Sequence, residues 1–235
     1  MERDPPNVPV RSVETTLRIL KLLREQGVAG VSELASELNV AKSTVHNHLR
    51  TLELHGYVVS EEEGFSLSFR FLDLGGHVRA RVDELRQVQP KVREIADETG
   101  EICHFFMQES DIAVVVFMEG GHQAVNTKMR IGGRIPLKRL TAGRILQIYA
   151  DEGDEDDSDR EKLNANSYLT GDEEYIQGLH SIAVPVTKTD DELVGVLNVA
   201  GPARRLRDDD YEREVADLLL NVSNELELNV SYNRY

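Results

Sequence analysis

Tryptophan is absent from this 235-residue chain, cysteine occurs once, and lysine occurs only seven times. A lone Cys103 excludes an internal disulfide framework. No apolar run exceeds Ile112–Met118, far short of the ~18 residues that a membrane helix needs. The opening stretch MERDPPNVPV carries no signal-peptide apolar core, so a soluble, cytoplasmic protein is expected. A GxSxG elbow, a P-loop and an HExxH helix are all missing. Cys103 and His104 would be neighbours on a strand and point to opposite faces, so they cannot form a nucleophile–base pair. His46 and His48 are two apart on a helix, which does not align them for a metal. Asp154–Asp159 sets carboxylates at alternate positions but has Asp159 where a calcium loop needs glycine. No enzyme, cofactor or metal is expected.

Positive charge is also scarce. The net charge is −15, and the few bases are mostly arginine, 20 against 7 lysines. An acid-rich, lysine-poor surface suits very concentrated salt, where self-repulsion is screened, and an extreme halophile is the expected source. The imbalance is uneven. Residues 1–60 carry seven acids and seven bases, whereas residues 91–235 carry 29 acids against 16 bases. Any nucleic-acid contact is therefore expected in the first 60 residues.

That neutral region has the order of a winged helix. After a flexible arm (1–10), Ser12 reads as an N-cap, with Val13, Leu17, Leu20 and Leu23 at helical spacing. A short helix is expected from about Ser32, with Leu34, Ala35 and Leu38 on one face. Asn39-Val40 reads as a tight turn, and a third helix follows from about Ala41 to His55. Its buried stripe is Val45, Leu49 and Leu52. Ser43, His46, Asn47 and Arg50 fall on the opposite face, with Lys42 and Thr44 at its start. A helix enters the major groove only if one face packs at home and the other offers donors. Asn47 can pair with adenine and Arg50 with guanine or phosphate, while Ser43 and Thr44 suit a phosphate oxygen at a helix N-terminus. Tyr57-Val58-Val59 and Phe65-Ser66-Leu67, joined by the turn 60–64, read as the wing.

Beyond it, one helix is expected from Phe71 to Arg86, serving as linker and dimerisation element, with Pro90 separating it from another at 92–99. Strands are expected at 102–108, 112–119, 123–130, 181–188 and 193–201, with a helix at 141–150 and a last helix capped by Asp208. Residues 151–175 read as a solvated acidic loop. Helices packed on an antiparallel sheet make the second domain, and the chain as a whole, α+β. The expected division is an arm (1–10), a winged helix-turn-helix (11–69), a linker (70–88) and a second domain (89–235), to which a family resemblance assigns effector binding and oligomerisation.

The residues resemble those of the IclR-type transcriptional regulators. The N-terminal likeness runs through Arg11-Ser12-Val13-Glu14, Glu33-Leu34-Ala35, Lys42-Ser43-Thr44-Val45-His46, Leu52 and Gly56-Tyr57-Val58. An independent C-terminal likeness lies in Gly133–Leu137, Thr141-Ala142-Gly143-Arg144, Gly178–Val186 and Val199–Pro202. The resemblance implies a DNA-binding winged helix and a GAF-like domain with an antiparallel sheet and flanking helices that binds a small molecule. Arg11 and Ser32 join Lys42, Ser43, Thr44, His46, Asn47 and Arg50 in the implied DNA-binding set. The implied effector site comprises Thr141, Ala142, Gly171, Asp172, Ser181, Asn198 and Ala200. Free amides opening the helix at Thr141 favour a carboxylate. Asn47-His48 stands where the family often has Arg-Leu, so base preference should differ. The implied partners are palindromic operator DNA, a small organic acid or sugar-derived effector, and further copies of the chain in a dimer or tetramer. The alternative is a DNA-binding regulator whose second domain serves only assembly or partner contacts.

Overall fold

The computed structural model describes residues 8–150 and 157–232. Most of the predicted arm, and residues 151–156 of the acidic stretch, lie outside the described residues. The chain divides into two units at Arg81/Val82.

The first unit holds α1 (Arg11–Gln26), β1 (Val28–Ala29), α2 (Val31–Leu38), α3 (Lys42–Leu54), β2 (Val58–Glu61), β3 (Gly64–Leu67) and α4 (Arg70–Ala80). Ile19, Leu23, Leu34, Leu38, Val45 and Leu49 make its core. The predicted cap at Ser12 is not formed. Val10 precedes the first turn without a side-chain cap, and Ser12 instead lends its carbonyl to the Thr16 hydroxyl. Val13 and Leu17 also leave the expected seam and are exposed, because Ile19 and Leu23 turn the buried face of α1 elsewhere. Asn39 ends α2 in the left-handed region at φ 53°, which asparagine tolerates better than most residues. The wing forms as expected and gains β1 as a third strand, in the order β1-β3-β2. A side chain at Gly64 would collide with the Ala29 carbonyl, so only glycine lets these strands meet.

The second unit begins with α5 (Leu85–Thr99), β4 (Ile102–Glu109), β5 (Ile112–Gly120) and β6 (Arg134–Pro136). It continues with α6 (Thr141–Ala150), α7 (Asp157–Asn166), β7 (Leu169–Asp172), β8 (Leu179–Thr187), β9 (Leu193–Pro202), α8 (Ala203–Leu206) and α9 (Asp209–Tyr232). Its six strands are ordered β6-β5-β4-β9-β8-β7, antiparallel throughout. Leu85, Val88, Val92 and Ile95 of α5 pack with Val215, Leu219 and Val222 of α9 in one core cluster, which Cys103 and Phe105 join. Phe106, Val115 and Val196 lie in a second cluster with Ile145 and Leu146 of α6.

Four expectations fail here for physical reasons. The helix predicted over 71–86 is two helices. α4 buries no residue and carries Gly75-Gly76, whereas α5 is anchored in the core from Leu85. Pro90 lies inside α5 rather than before it; burial of the apolar seam on either side outweighs the one lost backbone bond. No strand forms at 123–130. The Asn126 and Thr127 side chains bond the backbone N–H groups of Lys128 and Met129, a local alternative to the ladder, and β6 pairs with β5 instead. The loop expected over 151–175 contains α7 and β7. Asp159 of α7 is held by Arg144, and β7 takes the open edge of β8.

Candidate DNA-reading face and effector cavity

In α3, Val45 and Leu49 are completely buried, while Lys42, Ser43, His46, Asn47 and Arg50 are exposed and Thr44 is half-buried. The helix thus packs by one stripe and presents the other. Arg50 Nη1 donates to Glu53 Oε2 at 2.7 Å, one turn on, so this guanidinium reaches out only by leaving a carboxylate. His48 is not part of the exposed face. Its Nδ1 lies 2.8 Å from Thr16 Oγ1, tying α3 to α1. Arg11 is exposed in the first turn of α1 and Ser32 in that of α2. Leu54, 71% exposed at the end of α3, continues the Ser43-Asn47-Arg50 spacing. Sequence reasoning passed over it because it looks for apolar residues inside. The wing tip carries Glu61, Glu62 and Glu63, all exposed.

The effector candidates meet across four strands. Gly171, Ser181 and Ala200 lie opposite one another on β7, β8 and β9, and Asn198 pairs with His104 of β4. These residues line a cavity of about 40 Å³, roughly the room of one water molecule. The segment between β7 and β8, with Glu173, Glu174 and Ile176, forms another wall.

Thr141 is buried at the start of α6. Its Oγ1 lies 2.6 Å from Ser181 Oγ and donates to Glu174 Oε2 at 2.7 Å. Ala142 is buried beside it, in the core under α6. Asp172 does not join this group. Strand alternation turns its carboxylate to Arg207 Nε at 2.8 Å and His180 Nδ1 at 2.6 Å. The Arg207 hydrogen bond, and to a lesser degree His180, hold its carboxyl below the usual range.

Of the cavity residues that were not predicted, two bear on its chemistry, His104 and Glu174. His104 is fully buried with neither ring nitrogen in a well-formed hydrogen bond, and burial pushes its imidazole down to about 4 against a weaker opposing hydrogen-bond contribution from the Asn198 backbone. The sheet alternation that sent Cys103 to one core could have placed His104 on the other. Glu174 left no comparable signal, because it lies outside any regular element. Its Oε1 receives Arg144 Nη2 at 2.9 Å. The same arginine holds Asp159 and the Thr170 carbonyl.

A winged helix whose third helix presents an exposed polar face, on one chain with a polar cavity in an antiparallel α+β domain, has the form of a DNA-binding regulator governed by a small molecule. Comparison with known proteins gives the family. The IclR helix-turn-helix domain matches residues 12–62, and the C-terminal domain of the bacterial transcriptional regulator IclR matches residues 77–164. Together these cover more than half of the chain, which belongs to the IclR family of transcriptional regulators. The HTH-type transcriptional regulator KdgR of Escherichia coli is 26% identical, over 100% of this chain and 97% of its own. The Thermotoga maritima IclR structure superposes with a TM-score of 0.79 at 20% identity, covering 94% of this chain and 99% of that one. An IclR homolog of Microbacterium hydrocarbonoxydans, solved with 4-hydroxybenzoate, gives 0.75 at 15% identity, covering 92% and 98%. The chain is therefore a transcription regulator with a DNA-binding helix-turn-helix domain and an effector-binding C-terminal domain. Among the described residues no helix is long and apolar enough to cross a membrane.

Proposed function

We propose that this regulator reads a palindromic operator through α3 and controls carbon-catabolism genes in response to a small organic acid or sugar-derived molecule. The observation that carries the reading is the split of α3 into a buried Val45-Leu49-Leu52 stripe and an exposed Ser43-His46-Asn47-Arg50 face. Asn47 and Arg50 have the chemistry for base edges, and His46 stands beside them. Lys42, Ser43 and Thr44 stand where the helix N-terminus favours phosphate, with Arg11 and Ser32 as outlying backbone contacts. Three carboxylates at the wing tip would be repelled by the phosphate backbone, which leaves discrimination to α3. The acid-rich, lysine-poor composition suits direct contacts made in strong salt, where counterion release yields little.

The effector is assigned to the cavity at Gly171, Ser181, Asn198 and Ala200, with Thr141 and Ala142 opening α6 behind it. An aromatic hydroxy acid on a structural neighbour supports an acid as the ligand class. Val13 and Leu17 on α1 and Leu72 and Val78 on α4 are each more than half exposed. We assign these faces to a second copy of the chain, giving a dimer whose two α3 helices meet two half-sites. Such dimers would pair into tetramers.

Chromatin capture of the tagged protein, before and after a switch of carbon source, tests the reading. Sharp peaks sharing an inverted repeat, with occupancy or transcription changing on the switch, are expected. Absence of discrete peaks under every condition would overturn it.

A further inference from the structure

The cavity has room for about one water, yet the family binds effectors in this domain. What fills the space is instructive. Glu174 sends its carboxylate to the start of α6, taking the Thr141 hydroxyl at 2.7 Å and the Arg144 guanidinium at 2.9 Å. A carboxylate at a helix N-terminus, with a hydroxyl and a guanidinium to hold it, is bound as a ligand acid would be. Gly171 makes the space for it. A side chain there would meet Thr141 Oγ1 and come within 2.7 Å of the Glu174 carboxylate.

A second observation marks the cavity as a ligand site. His104, with no exposed surface, lines it with neither ring nitrogen in a well-formed hydrogen bond. Buried polar groups without partners are uncommon, and one facing a cavity is suited to bond whatever enters.

We propose that Glu174 is a resident competitor for the effector, and that binding is the exchange of one carboxylate for another. The effector's carboxylate takes the Thr141 and Arg144 bonds, and the segment 173–178 is released as Glu174 leaves. That segment has no regular structure, and its backbone is held by Glu173 N–H to the Leu179 carbonyl, Leu179 N–H to the Ile176 carbonyl and Ala203 N–H to the Gly178 carbonyl, with Tyr175 5.4 Å from the Arg139 guanidinium. No covalent step is involved. Glu174 thus raises the affinity an acid must have before it is sensed. The inference rests on the assignment of an acid to this cavity.

The test is chemical rescue in the full-length protein, with acetate as the probe. Glu174→Ala is expected to lower the melting temperature by about 4 °C, because Arg144 and Thr141 lose their shared acceptor. Acetate at about 0.2 M should restore at least half of the loss by binding the folded state, while equimolar chloride restores none and the wild type gains nothing. If Glu174→Ala fails to fold, Glu174→Gln keeps the shape without the charge and should show a smaller acetate response. Equal effects of acetate and chloride on the folded variant would overturn the exchange. A footprint on operator DNA keeps the two readings apart. A variant that still footprints but shows no rescue overturns the exchange alone. Rescue with a footprint indifferent to acetate in every variant overturns the effector reading and keeps a carboxylate site.

Discussion

The two units place their working groups in opposite environments. On α3 the candidate DNA-reading residues, exposed except for the half-buried Thr44, come from one run of nine positions, 42–50. In the second unit the candidate effector residues come from β4, β7, β8 and β9, with the start of α6 behind them, and most are buried. The first arrangement costs little stability, since exposed polar groups keep their water. The second requires each buried polar atom to find a partner or to await one. A surface reader can therefore be altered without disturbing its fold, whereas the cavity's chemistry and its packing are hard to separate.

The largest expected effect tests how far the buried unit depends on paired charge. Glu101 is 1% exposed and takes Arg205 through both oxygens, at 2.7 and 2.8 Å. Arg205→Ala should cost about 3–5 kcal/mol, because it leaves a buried carboxylate alone, and thermal unfolding would measure it. A loss no greater than that of an exposed pair such as Arg24–Glu25 would break the contrast.

Next comes pH. The His104 pKa is lowered by burial to about 4, from an unfolded value near 6.5. Between those values the unfolded chain binds the extra proton, so stability falls as pH drops through that window, by up to about 3 kcal/mol. His104→Leu should remove this component, and urea unfolding of both proteins at pH 7 and pH 4 would reveal the difference. Identical pH slopes would mean the imidazole has a partner in the folded state.

Arg50→Ala should weaken operator binding by about 1–3 kcal/mol while leaving the melting temperature within about 1 °C, the signature of a surface reader. Unchanged footprint affinity would remove Arg50 from the reading face. Smallest is Thr141→Val, which keeps the volume and deletes the hydroxyl shared by Glu174 and Ser181. It should cost about 1 kcal/mol, spare DNA binding and blunt the effector response. Loss of DNA binding as well would show that the change disturbs more than the cavity.

Much of the first unit was legible because its signals are local. Helical spacing picked out Val45, Leu49 and Leu52 as the buried stripe, and the residues opposite them followed from a period of 3.6. Its errors arose where burial depends on what lies across the unit, as at Val13 and Leu17. The strands β4, β5, β8 and β9 were equally plain, being long and apolar. The strand expected at 123–130 was not formed, since local side-chain bonds and the competing β6 lie beyond any propensity.

The cavity marks the boundary between the two kinds of knowledge. Alone, the sequence determined the α+β class, the winged helix, the exposed polar face of α3 and the family likeness, since each rests on residues close along the chain. Only the tertiary structure decided that Asp172 turns away to Arg207, that His104 lines the cavity, and that Glu174 reaches Thr141 and Arg144. Those facts depend on antiparallel register and on a connecting segment crossing over a helix end. Residues 30 and more positions apart become neighbours there, and no periodicity within the chain reports which pairs will meet.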